Sequence, residues 1–372
     1  MKALKISLWV LIGVIASAVI FFGTLTIFEY RPRALQAIAV DNNQANLVRI
    51  DTVYQVMTFN IGYAGLGKAE DFVMDGGRKG RPDSKSVVEG YFEGIKAILR
   101  SHESDFYFLQ EVDQKSRRSY GINQVEGIRG TLGASYASQF AYNFKAIFVP
   151  FPLSFTDYLG PVKSGIQTLA KHKVERSERH QFPGAFSWPL RIANLKRAML
   201  VSYMDIEGSK KKLVLVNLHL SAYDSDGSMR SQEMAALSSF LEAQRALGNY
   251  VIVGGDFNQT FPEAAGLFPV QSDLYEAYTI EKDFLPSGYR FAVDLSHPTC
   301  RLLNQPYVAN TEGTQYYVVD GFIISDTIEL LAIDSQTTSQ PMTIDQAFLY
   351  SDHNPVVMRF RLKGSSNNSI SY

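Results

Sequence analysis

The sequence has almost no cysteine and almost no net charge. Cys300 is the single cysteine among 372 residues, so no disulfide can form within the chain. The 36 lysines and arginines nearly equal the 37 aspartates and glutamates, which leaves a formal net charge of −1. Proteins that bind nucleic acid without regard to sequence usually have a basic face. The near-zero net charge therefore disfavours a protein that binds DNA without sequence preference, although it is compatible with a local basic patch.

Internal repeats are also missing, and the only low-complexity tract is the polar tail at residues 364–372. Hydrophobic residues make up 46% of the sequence and charged residues 20%, which is the composition of an ordinary globular protein. No linker interrupts residues 52–363. Because this length is enough to bury a sizeable core, we expect residues 52–363 to form one domain.

The N-terminal segment contains a long apolar run. Residues 6–28 include no charged side chain and are rich in Ile, Val, Leu and Phe. About 20 apolar residues in a helix span the hydrocarbon core of a bilayer. We therefore expect residues 1–30 to form one transmembrane anchor and residues 31–51 to form a short polar stalk.

Two alternatives to a retained anchor are open, a cleaved signal peptide and a core helix of a soluble protein. A signal peptide would have a shorter apolar region, of about 7–15 residues, although Ala37-Ile38-Ala39 offers a cleavage site. The positive charges that flank the run are nearly balanced, so they say little about orientation. An N-terminal anchor followed by one large domain usually sends that domain across the membrane. We expect a single-pass protein of the cell membrane with an extracytoplasmic domain.

Short β-branched and aromatic runs alternate with helical stretches beyond the stalk. The clearest helices are predicted at residues 86–100 and 228–247, with Ser228 as N-cap of the second and Gly248 just past its end. Many strands with few helices between them favour two packed sheets with helices outside. Strands are predicted at residues 54–60, 106–110, 146–149, 167–170, 198–205, 212–218, 250–254, 317–324 and 356–362.

Polar motifs end six of these apolar runs or directly precede one. Loops converge on pockets at strand ends, and a rigid sheet holds reactive groups in fixed positions. Any one motif alone is typical of a turn, a helix cap or a solvated side chain. Because a purely structural explanation would have to hold for all of them, we interpret them as one functional site. The motifs are Thr58-Phe59-Asn60, Leu109-Gln110-Glu111, Val216-Asn217-Leu218-His219, Val253-Gly254-Gly255-Asp256-Phe257-Asn258, Tyr317-Val318-Val319-Asp320 and Ser351-Asp352-His353-Asn354-Pro355.

The residue types in these motifs suit the hydrolysis of a phosphoester. Asn60, Glu111 and Asp352 offer the hard oxygen ligands that Mg²⁺ requires. In a pair of Asp320 with His353, the carboxylate would fix the imidazole tautomer and the imidazole would take a proton from water.

The remaining polar residues suit the phosphate and the water. His219 and Asn258 are hydrogen-bond donors for a phosphoryl oxygen whose negative charge grows in the transition state. Asp256 would orient the attacking water or assist the metal.

The order of these motifs resembles the endonuclease/exonuclease/phosphatase superfamily, which includes DNase I, exonuclease III-like repair enzymes, neutral sphingomyelinases and inositol polyphosphate 5-phosphatases. The resemblance covers roughly residues 54–362, and its most specific parts are Gly255-Asp256-Phe257-Asn258 and Ser351-Asp352-His353. It implies a DNase I-like four-layer α/β sandwich, with two central mixed β-sheets flanked by helices and the site at one edge of the sheets. It also implies a Mg²⁺-dependent hydrolase in which Mn²⁺ is able to replace Mg²⁺.

The resemblance implies the same residue roles. Glu111 would be the principal Mg²⁺ ligand, and Asp256 would position the water while the two donors hold the phosphate. Whether His353 acts as general base or as electrostatic stabiliser stays open. Some members have a further residue between the Glu and His motifs that supports the histidine or the phosphate. The candidates for it here are Arg117, Arg118, Asn143 and Lys145.

The substrate is not determined by these motifs. A lipid head group, a nucleic acid and a small phosphoester are all compatible, so a phosphodiesterase, a nuclease and a phosphomonoesterase stay open. The aromatic-rich residues 144–158 and 182–188 would stack on bases, lie at a lipid interface or simply pack under a long loop. We expect a monomer without an obligate protein partner. Two further classes stay open. The intact set of metal and histidine positions argues against a binding module that has lost the chemistry, and an adhesion module would have no reason to keep Asp320 with His353.

Overall fold

The helices and strands are described by a computed structural model that covers residues 2–222, 224, 226–271, 273–333 and 338–364. Each predicted strand overlaps an observed one. The α-helices are α1 (Lys2–Ile27), α2 (Lys85–Ser101), α3 (Gln124–Leu132) and α4 (Ser228–Ala246). The strands are β1 (Leu35–Ile38), β2 (Val53–Asn60), β3 (Phe106–Asp113), β4 (Ala137–Val149), β5 (Gly160–Ala170), β6 (Arg176–Gln181), β7 (Ala198–Asp205), β8 (Lys212–His219), β9 (Tyr250–Asp256), β10 (Tyr289–Ala292), β11 (Cys300–Arg301), β12 (Tyr316–Tyr317), β13 (Asp320–Ser325), β14 (Ile328–Leu331), β15 (Met342–Thr343) and β16 (Val356–Leu362).

Within the described residues the strands form two seven-stranded sheets and a two-stranded ribbon of β11 and β12. The first sheet has the order β14-β16-β2-β3-β5-β4, with β15 beside β16, and the second has the order β1-β6-β7-β8-β9-β13-β10. The pairs β2–β3 and β8–β9 are parallel, whereas β16 and β13 join them antiparallel. Both sheets are therefore mixed.

Strand β3 shows how the sequence builds the layers. Side chains alternate across a strand, so Phe106 and Phe108 pack between the sheets while Tyr107 and Leu109 pack under the helices. All four side chains are buried, which is why this strand has a continuous apolar sequence instead of an alternating one. Helices α2 and α3 cover the outer face of the first sheet, and α4 covers that of the second. The predicted four-layer α/β sandwich is confirmed.

The C-terminal end of α4 agrees with the prediction, whereas its N-terminal end does not. Gly248 has a φ of +69° directly after the helix, as expected of a residue past a C-terminus. The predicted N-cap, Ser228, is instead the first helical residue, and Gly227 is the N-cap. The prediction failed because Asp224 accepts a hydrogen bond from the Arg230 N–H at 2.9 Å, which replaces a capping hydroxyl.

The segment predicted as a stalk, residues 31–51, is partly bound to the domain. Strand β1 pairs with β6 at the edge of the second sheet. Val48 is fully buried, and its carbonyl accepts a hydrogen bond from the Glu207 N–H at 2.8 Å. The boundary at residue 52 stays a prediction, and residues 365–372 of the predicted tail lie outside the described residues.

Helix α1 is long and apolar enough to cross a membrane. Most of it is exposed, and its C-terminal end contacts the domain. Phe22 packs edge-on against Trp188 with ring centroids 6.0 Å apart, and the Trp188 indole N–H donates to the Thr26 hydroxyl at 3.2 Å.

Candidate active site

Both parallel strand pairs end at the same edge of the sandwich, which brings the predicted motifs together. Asn60 ends β2 beside Gln110 in the first sheet, and His219 ends β8 beside Asp256 in the second. Asp320 begins the antiparallel strand β13 opposite Asp256, so it reaches this edge from the other direction. Side chains from both sheets therefore surround one site.

Asn60 and Glu111 lie together at the end of the first sheet. The register of β3 shifts at this point, and Glu111 has a φ of +53°. Such a bulge redirects a side chain relative to a regular strand. The Asn60 amide nitrogen lies 3.4 Å from Glu111 Oε1 and donates to Asp256 Oδ2 at 2.9 Å, while its oxygen accepts from the Gly62 N–H at 3.0 Å.

Asp352 is a second carboxylate beside Glu111. Its burial, reinforced by the Glu111 charge and opposed by His353, raises the pKa of Asp352 to about 7. Like charges that share a buried site repel each other, and a cation between them would remove that repulsion. Glu111, Asp352 and Asn60 are an oxygen-rich donor set, which fits Mg²⁺ or Mn²⁺ better than a soft metal.

The Asp320–His353 pair forms as predicted from the sequence. His353 Nδ1 lies 2.7 Å from Asp320 Oδ2, and both side chains are buried. Burial raises the pKa of Asp320 to about 6 against the opposing effect of His353. Burial alone would lower the pKa of His353, but the carboxylates around it, Asp320 foremost, raise that pKa well above its usual range. The ring's other nitrogen, Nε2, lies 3.7 Å from Asp256 Oδ2.

Asp256 joins the two sheets through its carboxylate. Besides the bond from Asn60, its Oδ2 lies 3.4 Å from Nε2 of His219. Its Oδ1 accepts the backbone N–H of Asn258 at 2.8 Å, and the Asn258 side chain in turn donates to the Leu220 carbonyl at 2.8 Å. The Asp256 carboxylate is thus fixed on both of its oxygens.

His219 is a buried and neutral imidazole. Burial, with the positive charge of Arg197 adding, holds the pKa of His219 well below its usual range. Its Nδ1 has no hydrogen-bond partner among the described residues. A buried nitrogen of this kind is available to a bound ligand.

Arg118 and Asn143, two of the four auxiliary candidates, line the cavity at this site. The Arg118 guanidinium donates to Asp113 through Nε at 3.1 Å and Nη2 at 3.0 Å, and Nη2 lies 3.8 Å from Glu111 Oε2. The amide nitrogen of Asn143 is buried and has no hydrogen-bond partner in the described part of the chain. Asn143 therefore has an unpaired buried donor beside the cavity.

The other two candidates, Arg117 and Lys145, are half-buried and are not among the residues that line the cavity. Arg117 donates to the carbonyls of Thr156 and Tyr158 and stacks 3.8 Å from the ring of Tyr158. The Lys145 ammonium lies 5.0 Å from the ring centroid of Tyr142.

Further polar residues that were not predicted from the sequence line the same cavity, among them Arg197 and Tyr63. Arg197 lies directly before the buried strand β7 and lines the cavity. Tyr63 has a buried hydroxyl and stacks under Arg118, with 3.7 Å from the guanidinium carbon to the ring centroid. Neither has a sequence signal that distinguishes it from an ordinary strand or turn residue.

The cavity itself has a volume of about 760 Å³. Its polar end contains the predicted metal, histidine and phosphate residues Glu111, Asp352, His353, His219, Asp256 and Asn258. This arrangement offers carboxylates for a cation, a fixed imidazole, and a carboxylate between two imidazoles, which together suit water attack on a phosphorus atom.

Comparisons with known proteins agree with this geometry. A family model described as "Endonuclease/Exonuclease/phosphatase family" matches residues 57–353. No curated protein matches the chain at a significant level.

Solved structures with the same fold are distant in sequence. An endonuclease/exonuclease/phosphatase from Beutenbergia cavernae is 18% identical with a TM-score of 0.59, over 84% of this chain and 72% of its own. The human Nocturnin catalytic domain, solved with a bound sulfate anion, is 16% identical with a TM-score of 0.51, over 84% and 94%. ANGEL2, a 2',3'-cyclic phosphatase in complex with adenosine-2',3'-vanadate, is 16% identical with a TM-score of 0.52, over 90% and 100%. At these identities the likeness concerns the fold.

Proposed function

The chain belongs to the endonuclease/exonuclease/phosphatase family, and on this premise we propose that it is a Mg²⁺-dependent phosphodiesterase tethered to the membrane. The observation that supports the activity most directly is the convergence of the Glu111 and Asp352 carboxylates with the Asp320–His353 pair at one end of a cavity. In this proposal α1 is a retained anchor, and the catalytic domain lies outside the cytoplasm.

Asp320 and His353 act as one unit in this reaction. Because Asp320 Oδ2 accepts from Nδ1, the imidazole keeps its orientation and presents Nε2 to the site. Nε2 either takes a proton from the attacking water or donates to a phosphoryl oxygen. In both cases the Asp320 carboxylate stabilises the imidazolium form.

Asp256 positions the water, and the amide and imidazole donors hold the phosphate. The Asp256 carboxylate is held by Asn60 and by the Asn258 backbone, so its orientation is fixed before the substrate arrives. The unpartnered amide of Asn143 donates to a phosphoryl oxygen as negative charge develops on it. The neutral imidazole of His219 has a single N–H, and in this proposal it is on the nitrogen that faces the phosphate.

Glu111, Asp352 and Asn60 would hold the Mg²⁺, and their oxygen chemistry fits that ion. When bound, the cation neutralises charge on the phosphoryl oxygens. It would also compensate the Glu111 charge, which adds to burial in raising the pKa of Asp352.

Two alanine variants test this assignment. Glu111→Ala and His353→Ala should each lower the Mg²⁺-dependent turnover of bis-p-nitrophenyl phosphate by about 10²-fold or more, since each removes a metal ligand or a proton-transfer group. The full-length protein in phosphatidylcholine nanodiscs is the material, and circular dichroism checks that each variant is folded. A folded variant with near wild-type turnover would refute the role of that residue.

A further inference from the structure

The cavity continues from the polar residues into a long apolar part. Its volume of about 760 Å³ lies in the upper half of the range usual for ligand pockets, about 300–1,000 Å³. The apolar walls include Val149, Leu153 and Leu159 on one side and Leu190 and Leu195 on the other, with Phe21 of α1 beyond them. One continuous space therefore joins the proposed catalytic residues to the C-terminal half of the apolar helix.

We propose that the substrate is a membrane lipid phosphodiester. Its phosphate lies between Glu111 and His353, and its hydrocarbon chain fills the apolar part of the cavity toward α1. This inference rests on the proposed hydrolase function and names the class of substrate for that same site.

The chemistry of the walls favours a hydrocarbon chain over a nucleic acid. Nucleobases have polar edges that need hydrogen-bond partners when they are buried, whereas an acyl chain needs none. The walls away from the polar end combine aliphatic side chains with several phenylalanines, and they offer few such partners. A nucleic acid would also need a basic track along its backbone, and the net charge of −1 does not favour one.

Three residues of α1, Phe21, Phe22 and Leu25, line the apolar part of the cavity. Two loops beside α1 expose large apolar side chains, with Leu153 94% exposed, Leu190 63% and Trp188 54%. Trp188 contacts Phe22 and Thr26 near the end of the helix. Soluble surfaces rarely display such a patch, and tryptophan is typical of the boundary between lipid and water. With α1 in a bilayer, these loops lie at its surface and a lipid chain enters the cavity without crossing water.

The reaction balances as a simple hydrolysis. The water oxygen forms a bond to phosphorus while the phosphorus–oxygen bond to one ester group breaks. The departing oxygen takes a proton, so the products are a phosphomonoester and an alcohol. Whichever product retains the hydrocarbon chain returns to the bilayer.

The test compares a lipid probe with a probe that has no hydrocarbon chain on the same preparation. Full-length protein is reconstituted in vesicles of phosphatidylcholine, phosphatidylglycerol and sphingomyelin. Mass spectrometry follows the lipid products, and bis-p-nitrophenyl phosphate added to the same vesicles reports the chemistry alone. We expect Mg²⁺-dependent hydrolysis of at least one of the three lipids.

Two substitutions to aspartate separate the apolar passage from a general surface effect. Leu190→Asp should lower the ratio of lipid to bis-p-nitrophenyl phosphate turnover by about tenfold or more, because a carboxylate must be desolvated against the chain. Leu247→Asp is the matched control, since Leu247 is 67% exposed just past α4 and is not among the residues that line the cavity. It should change the ratio by less than about twofold. Leu153→Asp, at a nearly fully exposed residue, replaces Leu190→Asp if that variant does not fold.

The outcomes distinguish this inference from the proposed function. Hydrolysis of bis-p-nitrophenyl phosphate without hydrolysis of any of the three lipids overturns the lipid substrate and leaves the hydrolase. So does hydrolysis of plasmid DNA in place of lipid, or an unchanged ratio in the Leu190 and Leu153 variants. No hydrolysis of any probe by folded protein with Mg²⁺ overturns the hydrolase itself and the lipid substrate with it.

Discussion

Asp320 is the residue that makes His353 different from an ordinary buried histidine. Burial would keep an isolated imidazole neutral, yet the carboxylate 2.7 Å from Nδ1 raises its pKa well above the usual range. The same burial raises the pKa of Asp320 to about 6. Each group therefore depends on the other for its charge, and their contributions to catalysis should not be independent.

A double-mutant cycle measures that dependence. Asp320→Asn and His353→Ala should each lower the turnover of bis-p-nitrophenyl phosphate by about 10²-fold or more. The double variant should be little worse than His353→Ala alone, because the carboxylate acts through the imidazole. If the two losses multiply instead, Asp320 has a separate role. Thermal unfolding of all three variants serves as the control for folding.

At the residue scale, the sequence predicted the residues at strand ends but not the environments of the neighbouring residues Arg117 and Arg118. The residues at strand ends could be placed because the strands buried on both faces are continuous apolar runs, and each polar motif follows where such a run stops. Arg117 and Arg118 could not be told apart, although one stacks on Tyr158 at the surface and the other is buried against Asp113. That choice depends on Asp113 and on the β5 strand beside it, which are contacts made only in the folded chain.

At the scale of elements, β9 requires its glycines for packing and not only for flexibility. Gly255 has a φ of +147°, and a Cβ there would lie 2.0 Å from the carbonyl oxygen of Leu218 in β8. At Gly254 a Cβ would lie 2.7 Å from the ring of Phe322. The residue before Asp256 is small so that β8 and β9 approach closely enough to place His219 beside Asp256.

Gly255→Ala should therefore destabilise the domain strongly. We expect its free energy of unfolding to fall by about 3 kcal/mol or more, because the clash is with backbone that cannot move without breaking the strand pair. Gly130→Ala is the matched control, since Gly130 lies in α3 with open space around it. That variant should gain about 0.5–1 kcal/mol from helix propensity. Chemical denaturation measures the free energy of unfolding of both variants. A Gly255→Ala protein as stable as the wild type would contradict the close approach of β8 and β9.

The edge elements were harder to predict than the central ones. The central strands are buried on both faces, and their long apolar runs predict them from the sequence. These are β2, β3, β8 and β9. Strand β1 has four residues, of which three are exposed, and β6 is a run of polar residues. Such strands exist because a neighbour offers free backbone groups, which is information that local sequence does not contain.

At the scale of the whole molecule, the C-terminal end of α1 and the residue that follows it make specific side-chain contacts with the domain. The Lys196 ammonium lies 3.1 Å from Glu29, directly after the helix, and Trp188 bonds to Thr26. Cleavage within Ala37-Ile38-Ala39 would remove both contacts. It would also remove most of strand β1, which pairs with β6 in the second sheet. A retained helix, as proposed, would keep these contacts in the mature protein.

The intact mass of the mature protein tests whether α1 is retained. We expect the protein purified from membranes to keep its first 30 residues and to stay with the membrane after alkaline carbonate extraction. A mature N-terminus near residue 40, with the protein in the soluble fraction, would show that the segment is a signal peptide. The aromatic-rich residues 144–158 and 182–188 supply two walls of the cavity, whereas the sequence alone does not show that α1 adds a third wall to the same space.

The most direct test of the central claim is the turnover of bis-p-nitrophenyl phosphate by the full-length protein with Mg²⁺ and after treatment with EDTA. A phosphodiesterase that holds its metal on Glu111 and Asp352 should turn over the probe with Mg²⁺, lose that activity in EDTA and regain it on addition of Mg²⁺ or Mn²⁺. Turnover that EDTA leaves unchanged, or no turnover by folded protein that binds Mg²⁺, would contradict it.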